Sequence, residues 1–335
     1  MGNRGRQRKQ RVRKLARVVG GLMSVVLAWG IGSAHAFNID TGIPDLRVRW
    51  DTTFKYSMAL RVEQRDSMIE GSSFNPNLDD GDRNFARGLI SNRLDILSEL
   101  DAMYKGFGAR VSAAGWYDQV YNEDNDNDSP FTFNPLSVEH DEFTDETRDL
   151  HGRKIELLDA FAFGRKNLWK DTQLSMRAGQ YALLYGESLF FGANGIAAAQ
   201  SPVDVVKLLS VPNSQFKEII RPVPQVSADL LLTSRLSIGG YFQFDWRKSR
   251  LPASGSYHSF ADILDDGGER FFVGPPIIPG GLPLAFYRGN DIATDSSPFV
   301  AKLNLRPESG GVGYGLHSSR FGSKRPFLSP PTRGG

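Results

Sequence analysis

The sequence predicts an all-β protein, namely a transmembrane antiparallel β-barrel that is the N-terminal portion of a larger barrel, with a partly helical inserted loop. Three observations favour this fold: an export leader, long stretches in which apolar and charged residues alternate, and connections that are alternately short and long. The 335 residues include no cysteine, which excludes a disulfide scaffold, a thiolate metal site and a cysteine nucleophile.

Residues 1–36 have the layout of a secretory signal peptide. Eight basic residues and no acidic residue lie between Arg4 and Arg17, and an apolar stretch follows at 18–31. That stretch is shorter than the roughly 20 residues of a membrane-spanning helix. The small residues Ala34 and Ala36 then form a cleavage pattern. We therefore expect export with cleavage of this leader; an uncleaved anchor is the alternative.

The positive net charge of the chain comes from the leader. Eight of the 40 basic residues lie there, so the remainder carries 32 basic residues against 38 acidic ones. Nucleic-acid binding usually needs a basic surface. The sequence therefore predicts no nucleic-acid partner.

The first long strand is predicted at 46–62. Its even-numbered positions are almost all apolar and its odd-numbered positions are mostly polar or charged, so one face is apolar and the other hydrophilic. Ordinary strands run about 5–6 residues, and this alternation is roughly three times longer. Similar patterns predict strands at 90–104, 107–121 and 236–246, and shorter or noisier ones at 154–164, 172–184, 225–232, 298–305 and 312–321.

One of these segments is ambiguous. In 154–164, Asp159 shares its parity with the apolar residues Ile155, Leu157, Phe161 and Phe163. A single strand with one lipid-facing side would not place an aspartate among them.

The connections alternate in length. They are short at 105–106, 165–171, 233–235 and 306–311, and long at 63–88, 122–153, 185–224 and 248–297. Outer-membrane barrels have short periplasmic turns and long outer loops. This order favours a barrel over a soluble β-sandwich.

In such a barrel the apolar face meets lipid and the charged face meets the lumen. The lumen charges either pair across strands or line a hydrated pathway. Interfacial aromatic girdles are typical of membrane proteins, and six residues suit them, with ordinary packing as the alternative: Trp50, Tyr56, Tyr104, Trp116, Tyr121 and Trp246.

Segment 185–224 is unusually apolar for a water-exposed loop, and a helix could start after Ser201. We expect it to fold into the barrel mouth and narrow it; a cap packed over the rim is the alternative. The candidate lumen-lining or constriction residues are Arg47, Arg49, Asp95, Glu99, Glu187, Asp204, Lys207, Lys217, Glu218 and Arg221.

The sequence predicts no metal site, cofactor or catalytic residue. The acidic run 124–128 resembles the opening of a calcium loop, but Ser129 and Pro135 stand where glycine and glutamate are needed. The acidic stretch 79–82 is interpreted as a turn. No metal-ligand histidine spacing and no nucleophile motif occurs. We therefore expect no enzyme; a hydrolase with its catalytic residues dispersed over the barrel wall is the alternative.

Several stretches resemble a proteobacterial outer-membrane family known as domain of unknown function 1302. They lie, in order, at 37–40, 77–85, 88–93, 185–188, 202–205, 216–218 and 221–224, and the resemblance covers the chain to about Arg320. It implies a large outer-membrane barrel that handles lipidic or other hydrophobic compounds. It supplies no catalytic residue that could be transferred to this chain.

The C-terminus departs from this pattern. Residues 322–335 contain three prolines and no alternation, which makes them unsuitable as a strand. The sequence thus predicts a signal peptide at 1–36, a barrel segment at 37–321 and a non-native tail at 322–335, as in a truncated or frame-shifted copy.

The function predicted is that of a channel or transporter-like protein for hydrophobic compounds, in the outer membrane of a Gram-negative bacterium. The expected partners are membrane lipid, lipopolysaccharide, the barrel-assembly machinery, periplasmic chaperones and hydrophobic small molecules. A structural or adhesive surface protein and the barrel-embedded hydrolase are the alternatives.

Overall fold

The computed structural model describes residues 37–66, 76–129, 132–169, 171–185, 200–259, 261–276, 283–289, 297–307 and 313–322. Its strands are β1 (Phe37–Ile39), β2 (Leu46–Arg61), β3 (Gly88–Tyr104), β4 (Phe107–Asp118), β5 (Arg153–Trp169), β6 (Thr172–Tyr181), β7 (Val223–Leu231), β8 (Leu236–Gln243), β9 (Arg270–Pro276), β10 (Pro283–Tyr287), β11 (Phe299–Leu305) and β12 (Tyr314–Arg320).

Ten of these strands form one antiparallel sheet in the order β1-β2-β3-β4-β5-β6-β7-β8-β11-β12. Among the described residues this sheet is open, with β1 and β12 at its edges. The all-β prediction is confirmed, and the nine predicted strands are present as β2 to β8, β11 and β12. The sequence pattern did not predict β1, nor the β9–β10 hairpin within the connection after β8.

Helices are few and short. They are α1 (Asp80–Arg83), α2 (Asp145–Thr147), α3 (Val205–Ser210) and α4 (Phe216–Ile219), with a 3₁₀ turn at Val120–Asn122 and a π turn at Arg148–Gly152. Within the described ranges, no helix has the length and apolar character needed to cross a membrane. The acidic stretch 79–82, expected as a turn, instead supplies the N-cap and the first three residues of α1.

The sheet has two chemically different faces, as the alternation predicts. In the β2–β3 ladder, Trp50 pairs with Leu100 and Phe54 with Ile96 on one face, which we call the apolar face. Asp51 pairs with Glu99 and Lys55 with Asp95 on the other, which we call the charged face. The exposed side is the apolar one: Phe54 is 68% exposed, whereas Arg93 on the charged face is 2% exposed.

Ion pairs connect neighbouring strands on the charged face. Asp101 of β3 accepts hydrogen bonds from Arg49 of β2 at 3.2 Å and from Arg110 of β4 at 2.6 Å. Glu99 lies 3.9 Å from Arg110. These contacts are what the pairing interpretation of the lumen charges predicts, and they brace three adjacent strands.

A β-bulge explains the ambiguity around Asp159. Val111 pairs with Ala160, but Ala113 pairs with Leu157, so Ser112 faces both Leu158 and Asp159. The extra residue reverses the alternation of β5. Opposed residues share a face, and Phe161 opposes Arg110. Phe161 is thus on the charged face, whereas Leu157 is on the apolar one. The bulge thus accounts for the ambiguity that the sequence shows in 154–164.

The short and long connections join opposite ends of the strands, as predicted. The short ones span 105–106, 170–171, 232–235 and 306–313, and the long ones 62–87, 119–152, 182–222 and 244–298. In the tightest turn Lys105 has a φ of 53°, and a Cβ added to Gly106 would meet the Arg165 carbonyl at 2.6 Å. Glycine is therefore required there.

The described parts of the long connections pack together into one unit, here called the loop module (76–87, 119–152, 200–222 and 244–276). Asn84 donates to the Gly255 carbonyl at 2.8 Å and accepts from Asn127 at 2.7 Å. Its apolar core has two clusters, which are Phe85, Ile90, Tyr121 and Phe143, and Leu150, Val206 and Ala253. Residues that are distant in sequence thus hold one another in place at the same end of the strands.

Candidate functional site

The candidate site lies where the loop module meets the charged face. Trp116 of β4 is buried on that face, opposite Asp95, and donates through Nε1 to the Leu150 carbonyl at 3.2 Å. Trp116 and Tyr121, which the sequence assigned to exposed interfacial girdles, are both buried. The girdle interpretation was wrong for these two residues, because Trp116 lies beneath the loop module and Tyr121 belongs to the apolar core of that module.

Three cations surround the Trp116 ring. The Arg93 guanidinium lies 5.1 Å from the ring centroid, the Lys207 ammonium 4.9 Å and the Arg250 guanidinium 5.6 Å. These distances allow cation–π attraction, which is strongest where water is excluded. The indole therefore contacts Arg93 of β3, Lys207 of α3 and Arg250 of the connection after β8.

Two carboxylates pair with two of these cations. Arg250 contacts Asp204 at 2.7 Å and Glu156 of β5 at 2.7 Å, and Lys207 lies 3.7 Å from Glu156. We call Trp116, Glu156, Asp204, Lys207 and Arg250 the tryptophan cluster. Buried ions of this kind persist only when they are paired, so its members are mutually dependent.

Asp204 also begins the helix. Its Oδ1 accepts from the Lys207 backbone N–H at 2.9 Å and thereby caps α3. The helix predicted in this segment is confirmed. Its cap is Asp204, however, whereas the sequence suggested a start after Ser201.

Burial lowers the pKa values of two cations in this region, Lys207 and Arg221. It lowers the pKa of Lys207, although the charges of Asp204 and Glu156 oppose the change. Burial and then the charge of Arg250 lower the pKa of Arg221 to about 10. Arg221 therefore stays cationic at neutral pH, and it donates to the Lys248 carbonyl at 2.9 Å.

A second contact holds the loop segment against the charged face. Lys55 of β2 forms an ion pair with Glu218 of α4 at 3.0 Å. A small cavity, bordered by Asp95, Lys207 and Val211, lies beside this pair. The segment thus covers the charged face and leaves a small opening there.

The structure brings together only some of the predicted lining residues. Asp204 and Lys207 belong to the tryptophan cluster, and Asp95 and Glu218 border the cavity. Arg49 and Glu99 belong to the separate strand-bracing contacts, and Arg47 is exposed. Glu187 and the side chain of Lys217 lie outside the described residues, as do Ala34 and Ala36.

Sequence reasoning missed Trp116, Glu156 and Arg250. The first two share the charged parity of their strands, which could have placed them on this face. Arg250 lies in a long connection with no periodicity, and only the folded loop module brings it to Glu156.

Comparison with known proteins gives a family and no individual relative. Neither the curated proteins nor the solved structures contain a match to this chain. A family model matches residues 17–334, which is nearly the entire chain. The motifs at 77–85 and 202–205, on which the resemblance rested, supply α1 and the cap of α3. The chain therefore belongs to the family described as "Protein of unknown function (DUF1302)".

Proposed function

We propose that this chain forms the wall of an outer-membrane β-barrel that acts as a channel or transporter-like protein. The observation that carries the proposal is the inverted burial of the sheet, in which apolar side chains are exposed and charged side chains are buried. Large apolar side chains, including Phe54, Met58 and Leu60, are more than half exposed, while Arg93 and Glu99 on the other face are buried.

A lipid environment accounts for this inversion. Exposed apolar surface is unfavourable in water, at about 25 cal/mol per Å², and large contiguous patches mark an interaction with membrane or protein. In a bilayer the same face is favourable. Strands of 16 or 17 residues, as in β2, β3 and β5, exceed the roughly 9–11 residues that a tilted membrane strand needs.

Closure of the sheet is part of the proposal. An edge strand in lipid would leave backbone N–H and C=O groups without partners, so spanning sheets must close. In the membrane we therefore expect the β1 and β12 edges to be paired.

The loop segment supports a channel with a narrowed entrance. The Lys55–Glu218 pair and the tryptophan cluster hold 200–222 over the charged face, beside the cavity. We propose hydrophobic or lipidic compounds as cargo. An aromatic side chain beside a cation on the charged face fits an amphiphile, because Arg177 lies 5.0 Å from the ring of the half-buried Phe161.

Membrane fractionation and single-channel recording test the proposal. The full chain, expressed with its leader in a Gram-negative host, should enter the outer-membrane fraction and resist carbonate extraction. After purification and reconstitution it should give discrete conductance steps. A chain recovered as soluble periplasmic protein would contradict the membrane assignment, and a sealed membrane protein would contradict the channel and favour an adhesive or structural role.

Matched variants test the constriction. Lys55→Met removes the pair with Glu218 and should raise the conductance by loosening the segment. Arg47→Met removes an exposed charge from the same strand and face, and should leave this barrier in place. Equal conductance changes in the two variants would mean that segment 200–222 does not narrow the pathway.

A further inference from the structure

Three aspartates meet inside the loop module. Asp79 and Asp80 lie at the beginning of α1, before β3, and Asp262 lies in the connection after β8. Each is about 1% exposed. One carboxylate oxygen of each lies within 4.8 Å of one carboxylate oxygen of each of the others. We call these residues the acidic triad.

Two triad carboxylates are only half satisfied by hydrogen bonds. Asp80 Oδ2 accepts from the Asn134 N–H at 3.1 Å, and Asp262 Oδ2 accepts from the Asp80 N–H at 3.1 Å. Their other oxygens, Asp80 Oδ1 and Asp262 Oδ1, are buried and accept no hydrogen bond from any described residue. A buried carboxylate oxygen without a donor is strongly unfavourable, which points to a ligand that supplies positive charge.

The charge of the triad is also incompletely balanced. Arg83 contacts Asp79 through Nε at 3.1 Å. Burial, followed by the charges of Asp262 and Asp79, raises the pKa of Asp80 well above its usual range. Burial, followed by the charge of Asp79, raises the pKa of Asp262 to about 7, although hydrogen bonds from the backbone N–H groups of Asp80, Asp79 and Gly81 oppose the change. A bound divalent cation would offset the repulsion among the three ionised carboxylates, which the charges of Arg83 and Arg270 offset only in part.

We propose that the acidic triad binds one Ca²⁺ ion. The ligands are all oxygens, which suit hard cations, and oxygens up to 4.8 Å apart fit around one ion at the 2.3–2.6 Å distances that Ca²⁺ prefers. Mg²⁺ requires a tighter octahedron and retains several waters, so it suits this buried, irregular site less well.

The loops that would hold the ion already touch. A Cβ added to Gly81 would meet the Ser256 carbonyl oxygen at 2.7 Å, and the Asp262 N–H donates to the Asn77 carbonyl at 2.9 Å. The ion would therefore fasten the segment before β3 to the connection after β8 at a preformed contact. The inference is independent of the channel proposal, because every ligand belongs to the loop module.

Calcium titration of the full chain tests the site. After chelation with EDTA, calorimetry and terbium luminescence should show one bound ion per chain with a Kd below about 1 mM, within the range of protein calcium sites. Asp262→Asn should weaken binding at least ten-fold. Asp124→Asn, at an exposed position outside the triad, is the matched control and should bind as the wild type does. Absence of stoichiometric binding, or unchanged binding by Asp262→Asn, would overturn the proposal.

A stability comparison keeps the test decisive if a variant folds poorly. In EDTA, Asp262→Asn should unfold at higher urea than the wild type, because it removes repulsion between buried carboxylates. In 2 mM CaCl₂ the order should reverse. If Asp262→Asn is less stable than the wild type in both media, the aspartate serves only the fold. Equal protection by Mg²⁺ and Ca²⁺ would contradict the assignment to calcium.

Discussion

At the scale of single residues, Arg250 shows how this protein stabilises buried charge. Its guanidinium contacts both Asp204 and Glu156 at 2.7 Å and lies over Trp116. Removing one partner of a buried ion pair leaves an uncompensated charge, whereas an exposed pair contributes little.

Arg250→Met should therefore lower the free energy of unfolding by about 3–5 kcal/mol. Urea unfolding of the detergent-solubilised chain, followed by tryptophan fluorescence, measures this change. Arg47→Met makes the same substitution at an exposed position and should change stability by less than about 0.5 kcal/mol. Similar losses in both variants would show that the tryptophan cluster does not stabilise the loop module.

His151 makes the loop module sensitive to acid. Its Nε2 accepts from the Ala253 N–H at 3.1 Å, and its ring stacks on Tyr121. Burial, and then the charges of Arg93, His258 and Arg250, lower its pKa to about 3. The unfolded chain, with a histidine pKa near 6.5, takes up the proton first as the pH falls. The stabilising contribution is thus full above about pH 6.5 and declines toward pH 3.

Between pH 7.5 and pH 5.0 this difference should cost about 2 kcal/mol of unfolding free energy. In His151→Asn the pH dependence should be smaller by that amount. His140→Asn, at a partly exposed position, serves as the control and should keep the wild-type profile. Parallel profiles in all three proteins would rule out His151 as the titrating group.

The sequence predicted site residues where strand periodicity assigns a face, and also where the composition of segment 185–224 pointed to lining charges, as for Asp204 and Lys207. It identified Asp95, Glu99 and Arg49 on the charged face, and the contact of Arg49 with Asp101 follows from the register. Asp262 and Arg250 could not be predicted, because each acquires its partners through contacts between distant loops. For the same reason 79–82 resembled a simple turn, since its third carboxylate neighbour lies in another connection.

At the scale of elements, the regular strands were predictable and the irregular one was not. β2 and β3 keep one residue-by-residue register over most of their length, so alternation reveals both faces. β5 contains the bulge at Leu158 and Asp159, which reverses its parity midway. A single sequence does not reveal which partner strand will absorb the extra residue.

The bulge predicts that β5 tolerates the deletion of one residue at this position. Deleting Asp159 removes the extra residue and leaves Leu157 and Phe161 on their present faces, so the chain should still fold. Deleting Leu97, in the regular part of β3, reverses one half of that strand and places Asp95 or Asp101 on the apolar face. That variant should fail to assemble.

Heat-modifiable gel mobility of the membrane-extracted chain measures the folded fraction of both deletions. Retention of most of the folded form is expected for the Asp159 deletion, and its loss for the Leu97 deletion. Equal damage in both would mean that the register shift in β5 is not a simple one-residue bulge.

At the scale of the whole molecule, the order of short and long connections predicted the topology of the sheet. In an antiparallel meander, successive connections alternate between the two ends of the strands, so the short turns lie at one end and the long loops at the other. The packing of the loop module was not predictable, because the loops lack periodicity and their contacts, such as Asn84 with Gly255, link residues far apart in sequence. The predicted tail at 322–335 and the predicted leader stay predictions.

The central claim is that the apolar face lies in lipid while the charged face encloses the interior. The chain has no cysteine, so single cysteines at Phe54, Lys55, Tyr56 and Ser57 can be labelled uniquely with a fluorophore. In reconstituted membranes, brominated lipid should quench the labels at 54 and 56, and aqueous iodide those at 55 and 57. Iodide quenching at all four positions, or quenching that ignores the alternation, would contradict the account.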